Sequence, residues 1–207
     1  MKKLMYDPLN IVICGIGGQG NVLAAELVAS AMNDLNYRVA EGETYGAAQR
    51  GGSVMSHVRV SADTDLGVLI PAGEAHFIIG FEPLETLRIA RRYANPGTRI
   101  IYDPRPVYPQ SVLRGKAVYP DPAALKAEIE SLCREAVEVP AADIALACGD
   151  SRAANIALIG AFSCLDGAPL DTKALGQVVA QRFRGAVLAL NQKVFALGCE
   201  AVKEAAR

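Results

Sequence analysis

Residues 11–20, Ile-Val-Ile-Cys-Gly-Ile-Gly-Gly-Gln-Gly, pass from an apolar run into glycines and then straight into a helical pattern over 21–32. Gly15, Gly17 and Gly20 fall on the G-x-G-x-x-G spacing, with Gly18 and Gln19 between the last two. That spacing permits a tight turn after a strand, close approach of an anion to bare backbone, and close packing of helix on strand. The N–H groups opening the helix would face the anion. Two readings stand at this point: a phosphate-bearing ligand, or glycines that serve only a tight turn. A dinucleotide site would also want an acidic residue about 20 positions further on to hold the ribose hydroxyls. Glu41 and Glu43 sit near that position. The chain then departs from the dinucleotide pattern, because Thr44-Tyr45-Gly46-Ala47-Ala48-Gln49-Arg50-Gly51-Gly52 is too polar and too rich in glycine for a plain connector.

Other chemistry-bearing residues are sparse. Cys14, Cys133, Cys148, Cys164 and Cys199 are widely spaced and odd in number, which argues against a disulfide framework. Without a C-x-x-C or a ferredoxin-type run, the chain is not expected to ligate an iron–sulfur cluster by itself, and most of these cysteines are expected to act as small buried hydrophobes. His57 and His76 are the two histidines, and no H-E-x-x-H accompanies them, so no metal site is assigned. His57 reads as an ordinary polar residue of an alternating strand.

The elements that must position the glycine loop follow from apolar periodicity. Strands are predicted at about 10–14, 37–41, 53–60, 76–81 and 99–102, with 116–119 as a candidate sixth. The first and fourth are continuous apolar runs and should be central, whereas 53–60 alternates and should have one wet face. Helices are predicted over 20–35, 83–94, 122–136, 151–165 and 171–205, the last broken near Phe183-Arg184-Gly185. Pro83 suits a first helical turn, with Glu82 ahead of it and Glu85 inside. The pattern predicts an α/β fold: a three-layer α/β/α, Rossmann-like, mostly parallel sheet with additional C-terminal helices.

With 207 residues, 51% of them apolar and 21% charged, the chain suits one compact domain. A net charge of -1 and the lack of a basic run leave no footprint for nucleic acid or an anionic membrane. No apolar signal-peptide core and no spanning stretch is seen, which leads to the expectation of a cytoplasmic protein.

Taken together, Gly15–Gly20 and Glu43-Thr-Tyr-Gly-Ala-Ala-Gln-Arg-Gly-Gly52 resemble the gamma-type component of the 2-oxoacid:ferredoxin oxidoreductases, and most of all the beta subunit of the indolepyruvate type. Further matches are Ser53–Arg59, Phe81-Glu82-Pro83-Leu84-Glu85, Asn155 with Gly160, and Asn191 with Phe195 and Gly198, so the resemblance covers nearly all of residues 1–207 as one gamma-type domain. His76 departs from it, standing where members more usually carry an acidic residue.

The resemblance implies a multisubunit enzyme that oxidatively decarboxylates a 2-oxoacid, joins the acyl group to coenzyme A and passes electrons to ferredoxin. Thiamine diphosphate and iron–sulfur clusters are then expected on a larger alpha subunit, with this chain in an accessory role and in contact with coenzyme A. No catalytic residue is assigned to it. Gly15, Gly17, Gly18, Gln19, Gly20, Tyr45, Gln49, Arg50, Gly51 and Gly52 are the candidate cofactor-binding residues. Arg50 offers a fork of donors suited to phosphate, or else pairs with Glu41 or Glu43. Tyr45 and Gln49 would line the substrate pocket or the subunit seam, or Tyr45 would pack over its own sheet edge. Two competing classes stay open. One is a stand-alone Rossmann-like nucleotide-binding oxidoreductase, and the other is a purely structural subunit with an empty glycine loop.

Overall fold

The computed structural model describes residues 4–45 and 52–205, with backbone only at Tyr45, Gln110 and Ser111. β1 (Leu9–Ile16) is buried at every position. Leu9, Ile11 and Ile13 enter one apolar cluster while Val12 and Cys14 enter another, so the continuous run is a strand covered on both faces. β2 (Arg38–Tyr45), β3 (Ser53–Ser61), β4 (Phe77–Gly80), β5 (Arg99–Tyr102) and β6 (Glu135–Glu138) complete a six-stranded sheet in the order β2-β3-β1-β4-β5-β6. β1 and β4 are central, as expected. β1, β4, β5 and β6 pair in parallel, and β3 runs antiparallel to both β1 and β2.

One face of the sheet is covered by α1 (Asn21–Asp34) and, later in the chain, by α5 (Ala141–Ala147), α6 (Ala154–Phe162), α7 (Thr172–Arg182) and α8 (Gly185–Ala205). The other face carries α2 (Pro83–Tyr93) and α4 (Pro122–Ser131), and the short α3 (Gln110–Leu113) lies between them in sequence. The three-layer expectation holds. α2 begins as read: Pro83 stands in the first turn and the Glu82 carboxylate accepts the Glu85 N–H at 2.8 Å.

Several expectations are corrected. Residues 116–119 form no strand, and the helix expected over 122–136 stops at Ser131. Glu135–Glu138 instead pair with β5 as a four-residue edge strand, a contact that local propensity cannot register. The second half is therefore not wholly helical. β3 has no wet face, because it lies inside the sheet and Ser56 and His57 are both buried. Segment 67–75 covers the His57 side: Arg59 donates to the carbonyls of Gly67 and Leu69, and Ile70 N–H donates to His57 Nδ1.

The largest departure is covalent. A Cβ at Gly160 would lie 2.0 Å from the Phe195 carbonyl oxygen, and one at Gly198 would lie 2.0 Å from that of Ala157. Only bare glycine lets α6 and α8 approach so closely. At that contact Cys164 and Cys199, with Cα atoms 5.4 Å apart, form a disulfide. The buried-hydrophobe expectation suits Cys14 and fails for this pair, which helix packing and not sequence spacing brings together.

Candidate functional site

The glycine loop turns at the C-terminal end of β1, and its glycines serve different ends. Gly18 (φ +108°) and Gly20 (φ +86°) occupy the left-handed region that side chains disfavour. A Cβ at Gly15 would stand 2.7 Å from Phe81 Cβ, and one at Gly20 would stand 2.5 Å from Asn155 Nδ2. Gln19 closes the turn on itself, its Oε1 accepting Ile16 N–H at 2.7 Å while its Nε2 donates to the Phe81 carbonyl at 2.9 Å. Gly17 N–H donates to Gly52 O at 2.8 Å and Gln19 N–H to Ile16 O at 3.2 Å. Two of the amide groups that the sequence offered to an anion are thus engaged within the chain. The opening amide groups of α1 receive no side-chain cap.

The Gly17–Gly52 bond brings the two halves of the sequence signature to one edge of the sheet. Tyr45 ends β2 opposite Val54, while Gln49, Arg50 and Gly51 lie outside the described residues. Glu41 and Glu43 sit on β2, and β3 separates them from β1. Two strand spacings, about 9–10 Å, hold these acids away from the strand that carries the glycine turn. They are not placed to grip a ribose there.

Beyond the ends of β1, β4 and β5 opens a cleft of about 220 Å³, lined by Gly18, Gln19, Phe81, Asp103, Arg105 and Arg152 among others. β1 leads into α1 on one face and β4 into α2 on the other, so the gap between them is the topological switch point where open α/β sheets bind ligands. Asp103 is buried and takes the N–H groups of Arg105 (3.0 Å) and Ala142 (2.8 Å). Burial raises its carboxyl above the ordinary range and those two donors pull it back. Its role is to fix the backbone that presents Arg105. Arg105 pairs with Asp143 at 3.2 Å and Arg152 with Asp150 at 2.7 Å, the latter holding the Asp150 carboxyl down to about 2. Both pairs are solvent-exposed and therefore weak, so an entering phosphate can recruit either guanidinium.

A second buried acid braces the same edge. Glu82 caps α2 and accepts the Tyr119 hydroxyl, and burial pushes its carboxyl upward. Tyr119 in turn meets Tyr108 edge-on at 5.2 Å, fastening the excursion from 103 to 119 that carries Arg105 and Val107 along the cleft. The histidines are elsewhere. His76 accepts Asn10 N–H at 3.0 Å and stacks on Tyr6 at the opposite end of β1, while His57 meets the Tyr93 ring edge-on. Burial lowers both their pKa values. Sequence reasoning missed Arg105 and Arg152, which no local spacing distinguishes. Only their positions beyond strand ends could have marked them.

A family model described as pyruvate ferredoxin/flavodoxin oxidoreductase matches residues 10–201. The chain belongs to that family. The resemblance read from Gly15–Gly20 and Glu43–Gly52 therefore holds. A curated relative, indolepyruvate oxidoreductase subunit IorB of Thermococcus kodakarensis, is 35% identical over 196 residues, covering 94% of this chain and 96% of the relative. The gamma subunit of a keto/oxoacid ferredoxin oxidoreductase from Geobacter sulfurreducens superposes with a TM-score of 0.68 at 22% identity, over 95% of this chain and 99% of that one. The 2-oxoglutarate:ferredoxin oxidoreductase of Magnetococcus marinus, solved with 2-oxoglutarate, coenzyme A and succinyl-CoA bound, gives a TM-score of 0.70 at 24% identity. It is matched over 96% of this chain and 32% of that longer polypeptide. The two solved structures share the fold of the family member described above.

Proposed function

We propose that this chain is the accessory subunit of a thiamine-dependent 2-oxoacid:ferredoxin oxidoreductase of the indolepyruvate type. It acts in the cytoplasm beside a larger subunit, completes that subunit's active-site surroundings and holds part of coenzyme A. The observation that carries this reading is the glycine turn itself, whose Gly17 N–H bonds Gly52, the last residue of the second signature segment, and whose Gly18 and Gln19 line the cleft with Arg105 and Arg152.

The residues suit coenzyme A in part: the glycine turn admits close approach, and two exposed guanidiniums match phosphate oxygens in geometry and charge. When bound, coenzyme A supplies the thiol that accepts the acyl group. This chain's contribution is to fix the nucleotide end and exclude water from the seam. The described residues do not fit the other expected groups. No set of three or more His, Cys, Asp or Glu is arranged for a metal, and the free Cys14, Cys133 and Cys148 lie on separate elements. Thiamine and cluster chemistry are accordingly assigned to the partner. No helix among the described residues is long and apolar enough to cross a membrane.

Co-expression with the larger thiamine- and cluster-bearing subunit tests the proposal. The complex is expected to reduce ferredoxin in an arylpyruvate- and coenzyme A-dependent way, and the isolated chain to be colourless and inactive. Arg50→Ala should raise the KM for coenzyme A in the complex. A yellow isolated chain, or one that transfers hydride, overturns the reading.

A further inference from the structure

Between Tyr102, the last residue of β5, and Pro122, the first of α4, run nineteen residues whose only regular element is the single turn of α3. Connections that long with so little structure of their own are uncommon in a compact domain and usually serve a function. This one is held at its base. Asp103 takes the Arg105 N–H, Tyr119 donates to the buried Glu82 carboxylate, and the Tyr108 ring meets that of Tyr119 edge-on. Tyr108 and Tyr119 thereby close the residues between them into a surface loop with its ends together.

Fastening a loop costs conformational entropy, and the apolar side chains of this one are not buried in return. Val107, Tyr108, Leu113 and Val118 are exposed, Val118 at 92%, and they are four of the ten large apolar side chains that the described residues leave in solvent. Single apolar side chains on a surface are ordinary, whereas four within twelve residues of one fastened loop form a patch. The charge around that patch is of one sign. Residues 104–120 contain Arg105, Arg114 and Lys116 and no carboxylate. Arg105 is matched by Asp143 from α5, while Arg114 and Lys116 are exposed and meet no carboxylate among the described residues.

We infer that the 104–119 loop is the docking surface for the larger subunit, and that it seats on an apolar patch rimmed by Asp and Glu side chains. Charge complementarity selects this occupant over a second copy of the chain, because a symmetric contact would set Arg114 and Lys116 of one loop against those of the other. Arg114 and Lys116 steer the approach, and Tyr108, Leu113 and Val118 make the contact that persists. Since the loop is already fastened through Tyr119 and Asp103, little ordering remains to be lost when the partner arrives. Arg105 and Val107 also line the cleft beyond β1, β4 and β5, so a subunit seated on the loop lies across its mouth. Naming the larger subunit as the occupant rests on the accessory role proposed above.

The test measures association and dissociation rates of the full chain with the larger subunit by surface plasmon resonance at low and high salt. Leu113→Glu combined with Val118→Glu, both at exposed positions, is expected to weaken the complex by about tenfold or more, chiefly through faster dissociation. Arg114→Glu combined with Lys116→Glu should slow association by about tenfold at low salt and remove most of its salt dependence. Met5→Glu, equally exposed but on the segment leading into the other end of β1, should leave both rates unchanged. Hydrogen exchange on the wild-type complex needs no variant, and protection of the 112–118 amides on binding is expected. Wild-type rates in both loop variants, a loss of equal size from Met5→Glu, or unprotected 112–118 amides overturns the docking surface and leaves the accessory role standing. An isolated chain that sediments as a dimer, and that the loop variants dissociate, puts a second copy on the loop and overturns the proposal. If the wild-type chain does not bind the larger subunit at all, the accessory role falls and the docking surface falls with it.

Discussion

At the scale of single residues, the glycine loop separates strain from packing. Gly18→Ala meets open space and suffers only the left-handed backbone, so a loss of about 1–2 kcal/mol is expected in urea unfolding. Gly20→Ala carries the same backbone cost and also drives a methyl onto the Asn155 carboxamide, so it should cost more. A second prediction concerns acid. His57 is kept neutral by burial and by the nearby Arg92 and Arg59, while the unfolded chain titrates near 6.5. As pH falls below that value the unfolded state takes up a proton that the folded state refuses, so stability declines until the lowered folded pKa is passed. His76 acts in the same direction. Glu82 and Asp103, whose folded values are raised, act oppositely and lose stability as pH climbs above the ordinary carboxylate range. The difference in unfolding midpoint between wild type and His57→Gln should therefore shift in the variant's favour between pH 7 and 5. A pH-independent difference would refute the buried-neutral account.

At the scale of elements, the α6–α8 contact is the least tolerant place in the chain. Gly160→Ala sets a methyl against backbone that cannot step aside, and should cost about 3 kcal/mol or more in chemical denaturation. Asp103→Ala strips two backbone donors of their acceptor, and a loss of about 1–3 kcal/mol with a weaker hold on Arg105 is expected. These two sites also show what sequence can convey. β1, β4, the glycine turn and the Glu82–Pro83 helix start were legible because each is written in neighbouring residues. β6, the reversed surroundings of β3 and the Cys164–Cys199 bond were not, since the first and the last depend on a partner 35 or more residues away, and the second on segment 67–75. Asn155 and Asn191 were visible as family matches, yet only the packing of α6 on α8 places them in one cleft.

At the scale of the whole molecule, a subunit that finishes a partner's site should gain stability from it. The melting temperature of the chain is expected to rise on addition of the larger subunit, by an amount that grows with partner concentration, as calorimetry of mixtures can read. A melting curve indifferent to the partner would count against the accessory role. The reversed strand β3 carries a consequence of another kind. Because β2 runs with β1 and turns back into β3, the ends of that hairpin at Tyr45 and Gly52 open at the same edge as the crossovers that follow β1, β4 and β5. The residues that join Tyr45 to Gly52 in sequence therefore belong to no βαβ crossover. A change of length there would leave the register of every parallel crossover as it is, since none of those strand pairs is joined through it.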